Sequence, residues 1–327
     1  MRTIDWTGDA IEIIDQTALP AKVGSVRITT VDQLIDAVRS LAVRGAPALG
    51  VAGALGVALA ARTTEGLDLV VAVERVAMCR PTAVNLERGA RRAAARLPEG
   101  PEAVLAEALL IRDEEIAASA AMAVRGANLV TEVCGPRPTM LTHCNTGALA
   151  AVSVGTALGA VVELHRRDAL AGVIVSETRP LLQGARLTAW ELAEADIPFR
   201  LAVDSAGPFL MARGQVDGVI LGADRICANG DVVNKIGSYA HALGARAAGI
   251  PFIVVAPEST IDQWAPSGAA VEIEDRGSAE VLSFRGVCTA PEGVDAMNPA
   301  FDVTPYELVT AIVTEQRVIR PYRGELP

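Results

Sequence analysis

From residue 139 onward, short apolar runs alternate with stretches of helical spacing, and this alternation constrains the fold more than any other feature. Apolar runs at 139–143, 172–176, 199–203, 218–221 and 252–256 read as strands. The stretches at 147–161, 184–195, 208–213 and 233–248 between them read as helices. Strands joined through helices lie parallel, so the expected architecture is α/β with a doubly wound parallel sheet. Composition agrees with it. The chain is 51% hydrophobic but only 3% aromatic, a core of small aliphatic side chains of the kind that buried parallel strands use.

The first part of the chain has a different texture. Residues 1–20 read as a short hairpin closed at Leu19-Pro20. Thr30-Val31-Asp32 opens a helix that carries Leu34, Ile35, Val38 and Leu41 at helical spacing. The break Val43-Arg44-Gly45-Ala46-Pro47 precedes an uncharged Ala/Gly-rich stretch at 48–61. That stretch is shorter than the ~20 residues a membrane span requires, so it reads as a buried helix. A helix starting at such a break points free N–H groups at whatever Arg44 contacts. Further helices are expected at 67–80 and 103–130, with the basic stretch 88–96 as a solvated face. The texture changes at Cys134-Gly135-Pro136-Arg137-Pro138. A mainly helical N-terminal domain with a small β element, residues 1–132, is therefore expected to precede a parallel-sheet domain, residues 133–327.

Several function classes lose support. With 29 basic and 39 acidic residues the net charge is −10 and no basic block stands out, which argues against a nucleic-acid surface. A local pocket can still hold a phosphate. Five cysteines in no C-x-x-C pair and only three histidines give neither a disulfide framework nor a zinc site, so no metal is expected. Residues 1–20 hold charges and no apolar core, so no secretory leader or membrane association is expected, and the compartment reads as a reducing cytoplasm. Neither G-x-G-x-x-G after the first strand nor a P-loop motif occurs.

Ligands of open parallel sheets bind outside the carboxyl ends of the strands. The residues just beyond the expected strands are Cys144-Asn145-Thr146-Gly147, Glu177-Thr178-Arg179-Pro180, Asp204-Ser205-Ala206-Gly207, Gly222-Ala223-Asp224-Arg225 and Pro257-Glu258-Ser259-Thr260. Cys144 would precede a helix, whose N-terminus would stabilise a thiolate fit to act as nucleophile or proton-transfer base. The other cysteines (Cys79, Cys134, Cys227, Cys288) read as buried small hydrophobes. Asp224 ends an apolar strand, where burial would suit it to act as an acid; a cap or an ion pair with Arg225 is the bland alternative. His143 should face away from its neighbour Cys144, because adjacent strand residues point to opposite faces. His165 and His241 read as ordinary surface or core residues. Arg44, Arg80, Arg179, Arg225 and Lys235 are the candidate phosphate ligands. Arg44 and Arg80 reach the sheet edge only if the first domain folds over it, which would place the pocket between domains. Residue chemistry alone thus gives an enzyme of a phosphorylated small molecule, with thiol and carboxylate chemistry, and leaves the reaction open.

The same segments resemble a known family. Val43-Arg44-Gly45-Ala46-Pro47-Ala48, Arg80-Pro81-Thr82-Ala83-Val84-Asn85-Leu86, Thr142-His143-Cys144-Asn145-Thr146-Gly147, Glu177-Thr178-Arg179-Pro180 with Gln183-Gly184, Gly222-Ala223-Asp224-Arg225 with Asn234-Lys235, and the stretch from Asn298 to Pro305 closely resemble the methylthioribose-1-phosphate isomerases. That family is shared with ribose-1,5-bisphosphate isomerases and with regulatory subunits of the translation-initiation exchange factor. The resemblance runs over nearly the whole chain. It implies a cofactor-free aldose–ketose isomerase of methionine salvage, acting on a sugar phosphate, dimeric, with a helical N-terminal and a Rossmann-like C-terminal domain. Carried over to matching positions, Cys144 and Asp224 would be the catalytic pair, while Arg44, Gly45, Ala46, Arg80, Gln183, Asn234 and Lys235 would bind substrate. The sequence departs from the family at Glu87-Arg88-Gly89-Ala90, where an apolar or aromatic pair with Trp is usual; the departure is expected at the wall around the substrate's 5-substituent.

Overall fold

A computed structural model describes residues 2–81, 83–284 and 286–327. The chain opens with the expected hairpin, β1 (Ile4–Thr7) and β2 (Ala10–Ile14), extended beyond residue 20 by a third antiparallel strand, β3 (Ser25–Ile28). The third strand buries only Ile28, so it leaves no apolar alternation to read. Five helices come next: α1 (Val31–Arg39), α2 (Ala46–Thr63), α3 (Gly66–Met78), α4 (Val84–Ala94) and α5 (Pro101–Cys134). Thr30 starts α1 through a capping box with Gln33. Pro47 to Ala60 of α2 are all buried, so this apolar helix is the core of the helical part. By length and composition α2 could cross a membrane; here its apolar surface is spent on its neighbours.

Glycines set how closely α2 and α4 approach. A Cβ on Gly53 would lie 2.2 Å from the Leu86 carbonyl oxygen, and one on Gly89 2.0 Å from that of Gly50. The outer face of α4 carries Arg91 and Arg92 in exposed ion pairs with Glu74, Glu87, Glu107 and Glu114, the solvated face expected from sequence. At 34 residues, α5 is a shared strut. Val104, Ala108 and Ile111 belong to the helical core, whereas Met122, Ala127, Leu129 and Val130 pack on the main sheet.

The second half alternates as expected. It runs through β4 (Thr139–Thr142), α6 (Ala157–Arg166), β5 (Gly172–Ser176), α7 (Ala189–Glu194), β6 (Phe199–Ala202), α8 (Ala206–Ala212), β7 (Gly218–Leu221), β8 (Arg225–Cys227), β9 (Val232–Lys235), α9 (Ser238–Ala248) and β10 (Phe252–Val255). Short strands complete it: β11 (Ile261–Asp262), β12 (Ser283–Phe284), β13 (Val287–Cys288), β14 (Phe301–Thr304), β15 (Ala311–Val313) and β16 (Val318–Ile319). The main sheet has the order β16-β15-β10-β7-β4-β5-β6, all parallel except β16. The chain runs outward from β4 through β5 to β6, then returns to the other flank of β4 with β7. The β4/β7 seam is therefore the topological switch point, where the crevice of an open α/β sheet lies.

Two expected helices are shortened. The stretch 147–161 is helical only from Ala157; residues 147–156 form an irregular, mostly buried segment. Its carbonyls are taken by the N-terminal half: Thr3 N–H donates to Val152, the Thr3 hydroxyl to Ala148, the Gln16 amide to Leu149 and Ala48 N–H to Ala150. Likewise 233–248 begins as strand β9, paired with β8 and with the distant β14 in a four-stranded sheet of order β11-β8-β9-β14. Helix α9 starts only after Gly237, where the Asp302 carboxylate accepts from Gly237 N–H (2.7 Å) and Tyr239 N–H.

The α2–α4 contact tolerates no added methyl. We expect Gly53→Ala to lower unfolding free energy by about 1–3 kcal/mol, the usual range for overpacking, in urea titrations followed by circular dichroism. An unchanged midpoint would show that the two helices separate freely.

Candidate active site

The loops after β4 and β7 meet the N-terminus of α2 and the α3–α4 connection across one pocket of about 750 Å³, partly open to solvent. Cys144, Asp224, Arg44, Gly45, Ala46, Arg80, Gln183, Asn234 and Lys235 all line it, whereas the other two candidate phosphate ligands, Arg179 and Arg225, do not. The helical half does fold over the sheet edge.

Cys144 is buried and has φ +60°, a left-handed conformation seldom adopted outside glycine. Two threonines fix it. Its N–H donates to the Thr178 hydroxyl (2.9 Å), and its carbonyl accepts from the Thr188 hydroxyl (2.6 Å). The sequence-based expectation of a helix N-terminus immediately after Cys144 fails, because α6 starts at Ala157. Burial pushes the thiol above its ordinary range, against Arg44 and Lys235, which favour the thiolate.

Asp224 is exposed, not buried, so the burial expected to make it an acid is absent in the open pocket. Nor does it pair with Arg225, whose guanidinium binds Asp262 at 3.2 Å. Arg179 is also diverted, donating to the carbonyls of Pro180 and Val281. The cations that do line the pocket are Arg44, Arg80, Lys235 and Arg276. Arg276 was missed from sequence, since it belongs to no strand end. Arg44 is clamped by Asn145: Nη1 donates to Oδ1 (2.8 Å) and Nη2 to the carbonyl (2.7 Å). Lys235 is buried, donates to the Ala300 carbonyl (2.8 Å) and lies 4.4 Å from the Phe301 ring centre.

Gly45 has φ +93°, and a Cβ there would lie 2.2 Å from the Ala150 carbonyl oxygen. It caps α2 without a side-chain bond, so the first turn of α2 opens on the pocket beside Arg44. Gln183 Oε1 is buried and has no hydrogen-bond partner among the described residues. Apolar lining comes from Leu41, Pro47, Ala150, Leu181, Pro257 and Phe301.

His143 points away from the pocket, as expected. Its Nε2 lies 2.8 Å from the Ile236 carbonyl oxygen, and burial pulls its pKa down to about 4, so the ring is neutral. The departing segment Glu87-Arg88-Gly89-Ala90 does not line the pocket; Arg88 instead donates to the Ser259 carbonyl. That expectation is corrected: Gly89 and Ala90 are buried against α2, Glu87 pairs with Arg91, and Arg88 reaches the 258–259 loop. Cys79 and Cys227 are buried, whereas Cys288 is exposed on the β12–β13 hairpin and Cys134 half-buried, contrary to their reading as core residues.

Comparison with known proteins gives a consistent result. Residues 42–321 match the Initiation factor 2 subunit family. A probable bifunctional methylthioribose-1-phosphate isomerase/methylthioribulose-1-phosphate dehydratase of Nocardia farcinica is 53% identical over 98% of this chain; the chain spans 60% of that relative's length. A 5-deoxyribose 1-phosphate isomerase of Moorella thermoacetica is 48% identical, covering 97% of this chain and 94% of the relative. The crystal structure of 5-methylthioribose 1-phosphate isomerase from Pyrococcus horikoshii OT3 superimposes with a TM-score of 0.90 at 39% identity, over 99% of this chain and 94% of that one. The chain therefore belongs to the Initiation factor 2 subunit family, with methylthioribose-1-phosphate isomerases among its relatives.

Proposed function

We propose that this protein is a cofactor-free aldose–ketose isomerase that converts 5-methylthioribose 1-phosphate to 5-methylthioribulose 1-phosphate in methionine salvage, as a cytoplasmic homodimer. One observation carries the reading: a thiol and a carboxyl stand at adjacent strand ends, Cys144 after β4 and Asp224 after β7, in a pocket with a single cluster of cations. The names of the relatives from Nocardia and Pyrococcus support it.

Arg44, Arg80, Lys235 and the open first turn of α2 at Gly45 and Ala46 receive the phosphate. Arg276 joins them. Gln183 and Asn234 bind the sugar hydroxyls. The unpartnered Gln183 Oε1 is an acceptor that a hydroxyl satisfies, and leaving such a group unpaired costs about 1–3 kcal/mol. Leu41, Pro47, Ala150, Leu181, Pro257 and Phe301 supply apolar surface that suits a methylthio group, whereas a second phosphate would need a second cationic cluster. Among the described residues, no cation beyond Arg44, Arg80, Lys235 and Arg276 lines this pocket.

The phosphate on C1 prevents ordinary opening to a free aldehyde. Once the sugar covers Asp224 and displaces water, its carboxyl gives a proton to the ring oxygen as the C1–O bond breaks. The Cys144 thiolate takes the C2 proton, giving an enol, and returns it to C1. The C2 hydroxyl proton goes back to Asp224 as the ketone forms, so both groups end as they began. The cations balance the charge that develops in a site shielded from water.

Proton NMR with 5-methylthioribose 1-phosphate tests this directly. Wild type should form the ketose, while Cys144→Ser and Asp224→Asn should each lose about 10²–10⁴-fold in kcat with little change in KM. Normal kcat in Cys144→Ser would defeat the assignment. No ketose from folded wild type would turn the test to 5-deoxyribose 1-phosphate, the substrate in the Moorella relative's name. Tight binding of both sugars without turnover would favour a sensor.

The thiol also predicts a pH dependence. Since Lys235 favours the thiolate, replacing it with Met should raise the Cys144 pKa. The limb of kcat/KM that rises with pH should then move to higher pH than in wild type. A limb that stays in place or moves to lower pH would separate Cys144 from that ionisation.

A further inference from the structure

Behind the pocket lies a side chain to which no sequence motif pointed. Glu191, on α7, directs its carboxylate inward. Its Oε2 accepts from Asn145 Nδ2 (2.5 Å) and its Oε1 from Leu149 N–H (3.0 Å). The second N–H of the Asn145 amide reaches the Thr188 hydroxyl oxygen (3.2 Å), whose own proton is given to the Cys144 carbonyl. Both amide protons of Asn145 are thus spent on acceptors, which leaves Oδ1 facing Arg44. The packing is built around this carboxylate: a Cβ at Gly147 would lie 2.3 Å from Glu191 Oε2.

We infer that Glu191 is a positioning residue for the phosphate-binding cation. Both Glu191 oxygens accept, from Asn145 Nδ2 and from Leu149 N–H, and these donors with Arg44 oppose the upward push of burial on the carboxyl. As an acceptor it fixes the Asn145 amide with its oxygen toward Arg44 and thereby holds the guanidinium in the pocket wall. Without it the amide is free to turn, and its NH₂ would then face the guanidinium, donor against donor. The inference rests on the reading that the pocket binds a sugar phosphate, with Arg44 on the phosphate.

The isosteric Glu191→Gln variant tests it, through isomerase kinetics and calorimetric binding of inorganic phosphate. With Gln, the 191 side chain gains a donor that competes with those of Asn145 and Leu149. KM and the phosphate dissociation constant should both rise by about tenfold or more, the scale of one charge-assisted hydrogen bond, while kcat stays within about threefold. In an Arg44→Ala background the same change should add no further loss, a non-additivity that general loosening of the fold would not produce. Unchanged KM and phosphate affinity in folded Glu191→Gln, or full additivity with Arg44→Ala, would overturn the inference. If Glu191→Gln does not fold, Asn145→Ala breaks the same link at its other end. It should then raise the phosphate dissociation constant by a similar factor, and an unchanged constant would equally overturn the assignment. Should wild type bind phosphate but turn over no sugar phosphate, the isomerase reading fails, and the role of Glu191 is decided by phosphate affinity alone.

Discussion

The site depends on a stretch of backbone that is neither helix nor strand. Residues 147–156 lie mostly buried, and the carbonyls of Ala148, Leu149, Ala150 and Val152 accept hydrogen bonds from Thr3, Gln16 and Ala48, with Ala148 also accepting from Ala151 N–H. Buried carbonyls need partners, and these can be supplied only if the N-terminal half sits on the sheet edge. The same contact seats Gly45 against Ala150 and Arg44 against Asn145. One set of backbone bonds therefore joins the two halves and builds the wall between them.

The sheet supplies the rest. The seam between β4 and β7 is where the chain reverses its direction of growth, so two strand ends open there side by side with no crossover helix between them. Cys144 leaves β4 in a left-handed conformation and Asp224 leaves β7 at the solvent side. Holding Cys144 against its steric preference takes Thr178 and Thr188, and Thr178 is itself left-handed, at φ +68°. Such strain persists only where surrounding contacts over-determine it. Next to Cys144 in the chain, His143 is buried 5.0 Å from His241, and burial draws both pKa values down, to about 4 and about 3, against the nearby Asp204 carboxylate. The balance of the thiol is set by burial and Asp224 against Arg44 and Lys235.

Much of this was legible in the sequence. The β/α alternation predicted five of the seven strands of the main sheet. Of these, β4, β5, β7 and β10 are buried and apolar, as parallel strands covered on both faces must be, whereas β6 is the half-exposed edge and was legible from the alternation alone. The residue types just beyond each strand brought out Cys144 and Asp224, and the break at Arg44-Gly45 announced the start of a helix at a pocket. The resemblance to an isomerase family added Gly45, Ala46, Gln183 and Asn234, which composition and spacing would not have singled out.

What the sequence determined by itself was local: apolar periods, breaks, and the residue types at strand ends. Tertiary structure decided whatever depends on a partner distant in the chain. Within 147–156 only Ala148 to Ala151 are good helix formers; Gly155 and the run Val152-Ser153-Val154 weaken a helix, and residues from the first fifty claim its carbonyls, so the stretch is irregular. Residues 232–235 form a strand because 301–304 lie beside them. Asp224 is open to solvent and Cys144 is not, although both end apolar strands, since exposure is fixed by what packs over a loop. Arg276 joins the cations and Arg225 leaves them for the same reason: a charge goes where its nearest partner lies in space, and sequence spacing does not encode that distance.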